Sequence, residues 1–223
     1  MPQHSSVPRQ SGFTLVEIAI VLVIIGLLLG GVLKGQELIN SAKVKNLAQD
    51  FRVVPTFIYA YQDKFRALPG DDSRATTHLC PTTNLGCTTN GDAVGVIDGN
   101  WNDKHPAATG AVRFWQHIRL ANLAPGSTDL ASPNFLPLNS EGGRIGVQSG
   151  GAAAPLGLTH GASYIVCSAG IQGKHVRQLD ITLDDGDPQT GSLRTGTGTD
   201  TLTLVSAANP LEDGGAYTVC MGI

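Results

Sequence analysis

The sequence predicts an α+β protein in which one long amino-terminal helix packs on a body built around an antiparallel β-sheet. Residues 18–33 form an uninterrupted apolar segment, and apolar residues then recur every three or four positions as far as Phe65. Both patterns are typical of a helix. From about Gly143 onward, short apolar segments alternate with Gly-rich or Asp-rich turns, which indicates an antiparallel sheet.

The amino-terminal apolar segment is long enough to cross a membrane. From Phe13 to Leu33 it would form about 30 Å of helix, close to the thickness of the hydrocarbon core of a bilayer. Arg9 precedes it and a large body follows, which favours a cytoplasmic amino terminus. A secretory signal peptide cleaved near Gly31 is the alternative, but Glu17 lies inside the segment, where a charge is costly and usually functional. The sequence therefore predicts a single transmembrane helix.

The helix is predicted to continue well beyond the apolar segment. Apolar side chains of residues 35–66 fall on one face at helical spacing, among them Leu47 and Phe51. This face is expected to pack on the body. Pro55 is expected to kink the helix because its ring removes one backbone hydrogen bond, and the Pro69–Gly70 pair marks a firm stop.

The body is predicted to contain little helix. Residues 66–110 carry many Gly, Asp, Asn and Thr and indicate a long irregular connection, whereas residues 111–121 indicate a short amphipathic helix. The Gly-rich and Thr-rich segment 191–198 is interpreted as a loop, since a dinucleotide-binding fingerprint needs a strand before it and a helix after it. The predicted strands span residues 144–147, 163–168, 178–183, 201–205 and 217–221.

The four cysteines indicate two disulfides. No C-x-x-C pair is present, so a zinc site is disfavoured, and disulfides imply an oxidising compartment. Free buried cysteines are the alternative. Of the three possible pairings we favour Cys80–Cys87, which closes a short local loop, and Cys167–Cys220, which ties the carboxyl-terminal segment to an interior strand.

The residues at the start of the apolar segment carry a specific resemblance. Gly12-Phe13-Thr14-Leu15-Val16-Glu17, followed by the apolar stretch, resembles the type IV prepilins and the pseudopilins of type II secretion. The resemblance implies the type IV pilin fold, cleavage between Gly12 and Phe13 by a prepilin peptidase, and N-methylation of the new amino terminus at Phe13. It also implies that the apolar helix is retained after cleavage.

The resemblance and the sequence pattern together divide the chain into four parts. Residues 1–12 would be the prepilin leader, and residues 13–34 the transmembrane and filament-core helix. Residues 35–66 would be the amphipathic half of the spine helix. Residues 67–223 would be the globular pilin-like domain.

Glu17 is the expected assembly residue. A carboxylate in hydrocarbon needs a partner. In a helical assembly the amine of Phe13 on a neighbouring subunit can supply it and set the axial register. The alternative is that Glu17 lies near the headgroup region and is solvated.

The resemblance favours a structural filament subunit. The large body tilts the expectation toward a minor pilin of a type IV pilus or related filament, with a type II secretion pseudopilin and a filament-borne adhesin or ligand-binding module as alternatives. The implied partners are the prepilin peptidase, other pilin subunits and an inner-membrane assembly platform. The implied location is the inner membrane, crossed once with the body in the periplasm, and then the filament.

Other chemistry is weakly indicated. Asp184, Asp185 and Asp187 lie on one turn and suit an oxygen-ligated calcium ion, as some pseudopilins bind in their carboxyl-terminal loops, although a solvated acidic turn is the alternative. No other cofactor is expected. No catalytic pattern is present, so an enzyme is not expected. The formal net charge is −3 without a Lys/Arg block, so nucleic-acid binding through a basic patch is not expected.

Overall fold

A computed structural model describes residues 14–84, 86–104, 109–151, 154–158 and 162–223. It confirms the predicted fold class, a long amino-terminal helix followed by a body with a five-stranded antiparallel sheet. The chain divides into two compact units, one ending at Ser41 and the other running from Ala42 to Ile223. Gly12 and Phe13 lie outside the described residues.

The first helix, α1, spans Leu15–Phe65 and continues through Pro55 without ending there. From Ala42 onward it carries the apolar face that the sequence predicted. Phe51 and Tyr61 on this face are fully buried and rank among the largest buried side chains of the molecule. The buried residues of α1 are Val44, Leu47, Ala48, Phe51, Val54, Ile58 and Tyr61.

Five strands form one sheet in the order β1-β2-β5-β3-β4, and every neighbouring pair is antiparallel. Apolar residues alternate between its two faces. Val166 belongs to the larger core, which includes α1 and α3, whereas Ile165 and Cys167 belong to a smaller core with Trp101. The strands are β1 Ile145–Ser149, β2 Tyr164–Gln172, β3 Leu193–Thr197, β4 Thr203–Leu204 and β5 Ala216–Gly222.

Three shorter α-helices and one 3-10 turn complete the described body. α2 spans Ala75–Leu79, α3 Gly110–Leu120, α4 Gly173–Leu183 and the 3-10 turn Pro155–Gly157. The predicted helix at 111–121 is therefore confirmed as α3. The irregular connection at 66–110 is interrupted by α2.

The strand predicted at residues 178–183 is wrong, because this segment is the second half of α4. Alternation placed Leu179 and Ile181 on one face of a strand. In the helix Leu179 is fully buried, one turn after the buried Val176, while Ile181 is 71% exposed. The buried positions of the whole segment recur every three or four residues, so the pattern favours a helix once residues from Gly173 onward are included.

The loop predicted at residues 191–198 is also wrong, because β3 occupies most of it, between β4 and β5. Leu193 and Thr195 are fully buried, two residues apart as a strand requires. Gly196 contributed to the interpretation of this segment as a loop, because glycine is unfavourable inside a strand. A Cβ atom there would lie 2.8 Å from the carbonyl oxygen of Thr203 and 2.4 Å from a methyl carbon of Leu156, so the close packing of β4 needs glycine.

Both expected disulfides are present. Cys80 is joined to Cys87, and Cys167 to Cys220. Cys167 and Cys220 lie directly opposite each other in the register of β2 and β5. This second disulfide therefore fixes β5, the last strand in the chain and the central strand of the sheet, to its neighbour β2.

Candidate functional site

The amino-terminal part of α1 presents an apolar surface that no other described residue covers. Its large apolar side chains between Leu15 and Leu33 are exposed by 47% or more. The most apolar 18-residue window of α1 has a mean hydropathy of 2.8, and none of it is buried. By length and composition, α1 is the one helix in the described part of the chain that can cross a membrane. Such a helix is compatible with a single-pass membrane anchor.

Glu17 closes the amino-terminal end of this helix. Its Oε2 accepts hydrogen bonds from the backbone amide of Thr14 (2.8 Å) and from the Thr14 hydroxyl (2.6 Å). In return, the Glu17 amide donates to the Thr14 hydroxyl oxygen at 3.3 Å. The pair forms a reciprocal capping box, which satisfies amides that the first turn leaves without partners.

The sequence interpretation assigned Glu17 to assembly and missed its local partner. The Thr-x-x-Glu spacing from Thr14 to Glu17, just before an apolar run, is the signal that could have identified the cap. Glu17 is thus positioned by its own helix. The cap fixes the carboxylate of a residue that follows the predicted cleavage point closely in the sequence.

Glu141 links the second half of α1 to the body. Its side chain is only 5% exposed, and Oε1 lies 2.7 Å from Nδ1 of His175 in α4 and 3.8 Å from Nζ of Lys43 in α1. Oε2 accepts the amide of Gln172 at the end of β2, at 2.7 Å. One buried carboxylate therefore ties together three elements, and a buried charge with several partners is stable where an isolated one is not.

A second buried network holds the other end of α1. The Tyr61 hydroxyl donates to Oδ2 of Asp72 at 2.8 Å, and Nδ1 of His78 lies 2.6 Å from the same oxygen. The His78 ring stacks on Phe65, with the ring centroids 5.1 Å apart. These contacts explain why α1 ends against α2 and the chain then turns.

His117 in α3 is fully buried and neutral. Its Nδ1 accepts the amide of Gly70 at 3.0 Å, and Nε2 lies 3.3 Å from the carbonyl oxygen of Thr89. Burial lowers the pKa of His117 to about 4. A proton on Nδ1 would place two donors face to face, so the fold around Gly70 requires the uncharged ring.

The acidic turn after α4 lies close to a residue of α4 that the sequence interpretation missed. Ligand oxygens of Asp180, Asp184 and Asp185 lie within 4.8 Å of one another. Asp180 is fully buried, and neither of its oxygens has a hydrogen-bond partner among the described residues. Burial, followed by the charges of Asp185, Asp184 and Asp187, raises the pKa of Asp180 to about 6.

The predicted member Asp187 is not among these three residues. Its Oδ1 accepts the amide of Gln189 at 3.0 Å and so shapes the turn. Asp184 and Asp185 are brought together as expected, and Asp180 joins them from one helical turn earlier. The i, i+4 spacing of Asp180 and Asp184 would have revealed this residue if the segment had been recognised as a helix.

Comparison with known proteins gives a match for one region of the chain, its amino-terminal segment. The family model for the prokaryotic N-terminal methylation motif matches residues 7–33. No curated protein and no solved structure matches the chain. The match covers the predicted cleavage point, Glu17 and the exposed apolar part of α1. The chain therefore carries the amino-terminal methylation motif of prokaryotic prepilins, which is consistent with the type IV pilin and pseudopilin family.

Proposed function

We propose that this protein is a structural subunit, a minor pilin, of a type IV pilus or related filament. In this role a prepilin peptidase cuts between Gly12 and Phe13, and Phe13 is N-methylated. The subunit crosses the inner membrane once, with its amino terminus in the cytoplasm and its body in the periplasm. An inner-membrane assembly platform then transfers it into a filament with other pilin subunits. The work of the protein is polymerisation and requires no catalytic residue.

One observation supports this proposal above all others. The methylation motif at residues 7–33 leads directly into a helix whose apolar side chains are uncovered. In a bilayer this surface contacts lipid, and in a filament it contacts the same surface of other subunits. Apolar surface stays out of water in both states, so transfer from membrane to filament costs little hydrophobic free energy.

The amino terminus of the protein from native membranes tests the processing step. Intact mass and peptide sequencing are expected to give a chain that begins at Phe13, carrying a methyl group. A chain that begins at Met1 would leave an anchored protein without prepilin processing. A chain that begins beyond Gly31 would mean secretion through an ordinary signal peptide and would contradict the filament role.

The role of Glu17 in assembly is separable from its capping role. Gln at the third helical position can still reach the amide of Thr14, but it carries no charge for the amine of a neighbouring Phe13. If the charge sets the register, Glu17→Gln and Glu17→Ala both lose incorporation into filaments. If the cap alone matters, Glu17→Gln assembles normally and only Glu17→Ala fails. Immunoblots of sheared filaments, with Glu37→Gln as a control in the same helix, measure the difference.

The abundance of the protein in purified filaments tests whether it is a minor pilin. A minor pilin is expected at a small fraction of the main subunit in purified filaments. A pseudopilin would instead be needed for protein secretion and be absent from long surface filaments. An adhesin would leave filament number unchanged when deleted and abolish attachment.

We also propose that Asp180, Asp184 and Asp185 hold a calcium ion. The carboxylate oxygens are the ligands that calcium prefers, and the orphaned buried Asp180 favours this site over a solvated turn. Calorimetric titration with calcium chloride is expected to give a Kd of about 10⁻⁴–10⁻³ M, the range of extracellular modules. Asp180→Asn should abolish binding, and the exposed control Asp63→Asn should not. Absence of heat at millimolar calcium would refute the site.

A further inference from the structure

A cavity of about 680 Å³ lies between the end of α3 and the segment that leads into β1. Three cationic side chains line it, namely Lys104, Arg119 and Arg144. Its remaining wall is largely apolar and includes Leu136 and Leu138 with three prolines. The volume lies within the range of small-molecule sites. A largely apolar wall with a few convergent polar groups is the usual composition of such a site.

The positive charge of this cavity has no compensating carboxylate among the described residues. No Asp or Glu of the described chain lines it. None of the three cations forms one of the ion pairs within 4 Å that the described residues make. Asp200 lines an adjoining smaller cavity together with Lys104 and Arg144 but remains beyond that distance. The cavity therefore carries a net positive charge.

Arg119 supplies a fixed and buried part of that charge. Its guanidinium donates to the carbonyl oxygens of Pro125 (3.2 Å), Ser127 (3.0 Å) and Phe135. It also lies over the Phe135 ring, 5.0 Å from the centroid. Burial lowers the pKa of Arg119. Carbonyl dipoles and a ring face solvate the cation only in part, so an anion in the cavity would be favourable.

Arg144 and Lys104 are the groups able to contact a ligand. Nη1 of Arg144 donates to the carbonyl oxygen of Asn102 at 2.6 Å, which orients the guanidinium. Its Nε and Nη2 make no hydrogen bond to the described residues, so the planar fork keeps donors for a carboxylate. Lys104 is exposed at the cavity and adds a mobile cation.

We propose that this cavity binds a small organic anion, a carboxylate attached to an apolar body. Arg144 and Lys104 bind the carboxylate, Arg119 adds a fixed positive field, and the leucine and proline wall covers the apolar part. This is a ligand-binding activity of the body. It goes beyond the filament role and does not depend on it.

Calorimetric titration of the full chain in lipid nanodiscs with 4-phenylbutyrate tests the proposal. The neutral analogue 4-phenyl-1-butanol has the same apolar part and no charge. We expect a Kd below about 1 mM for the anion and at least tenfold weaker binding of the alcohol. Equal affinities would mean partition into lipid or apolar surface, and would overturn the proposal.

The variant with both Lys104→Gln and Arg144→Gln should weaken binding of 4-phenylbutyrate at least tenfold. Lys45→Gln, an exposed charge on α1 within the same compact unit, should leave it unchanged. Unchanged affinity in the double variant would overturn the proposal. If that variant fails to fold, salt provides a second measurement. Raising sodium chloride about tenfold must weaken binding to the native chain several-fold, and a salt-independent Kd would refute a charge-based site.

Discussion

Acid should destabilise the body through His117 between about pH 6.5 and pH 4, an interval that begins well above the range in which carboxylates with a normal or lowered pKa titrate. The pKa of this ring is 6.5 when it is unperturbed and about 4 in the fold, because burial penalises the charged form. As pH falls below 6.5, the unfolded chain takes up the proton first, so stability falls until pH reaches about 4. One pH unit in this interval corresponds to about 1.4 kcal/mol, so the total loss is about 3 kcal/mol.

Chemical unfolding of the full chain between pH 7 and pH 4, compared with His117→Asn, measures this loss. The Asn side chain can still accept the amide of Gly70 but does not titrate, so the variant is less stable at pH 7 and less sensitive to acid. The difference in unfolding free energy between the two proteins should shrink by about 3 kcal/mol. Asp180, whose pKa is raised to about 6, acts in the opposite direction, since its stability contribution is lost as pH rises. Asp180 is present in both proteins, so its contribution cancels in the difference between their unfolding free energies. Parallel curves would refute the assignment.

Two further predictions concern the core. Replacing Cys167 and Cys220 by Ser should lower the unfolding free energy by about 4 kcal/mol, whereas the same change at Cys80 and Cys87 should lower it by about 2 kcal/mol. The disulfides close loops of different length, with sequence separations of 53 and 7, and the loss of stability rises with loop length. Equal losses in denaturant unfolding would contradict this prediction. Phe51→Ala should cost about 3–5 kcal/mol, since the ring is fully buried on α1. A loss below about 1 kcal/mol would mean that α1 contributes little to the core.

Elements with a long and clean pattern were predictable from sequence. The apolar segment and the amphipathic half of α1 extend over many turns, so helical periodicity dominates any local ambiguity. Strands were also predicted at residues 163–168 and 217–221, close to the observed β2 and β5. The expected disulfide between Cys167 and Cys220 joins these two strands, which are neighbours in the sheet.

Short elements were not predictable because tertiary contacts decide them. Six residues ending at Leu183 fit a strand as well as a helix, and only burial against the sheet distinguishes Leu179 from Ile181. β3 contains Gly196, which weakens a strand by itself and is required by the approach of Leu156 and β4. The error in α4 had a chemical consequence. It concealed Asp180, a buried acidic residue of α4 whose oxygens lie close to those of Asp184 and Asp185.

The compact unit that forms the body begins earlier in the chain than the change in amino-acid composition suggests. Composition changes near residue 66, where the helix ends, but the compact unit begins at Ala42. The reason is burial, because Phe51 and Tyr61 belong to the same core as the sheet, and Lys43 reaches the buried Glu141. A soluble fragment must therefore start at or before Ala42. A fragment that starts at residue 67 would remove the helix that covers the larger core and leave Asp72 without the Tyr61 hydroxyl. The second half of α1 is thus part of the body, whereas the large apolar side chains of its first half are exposed.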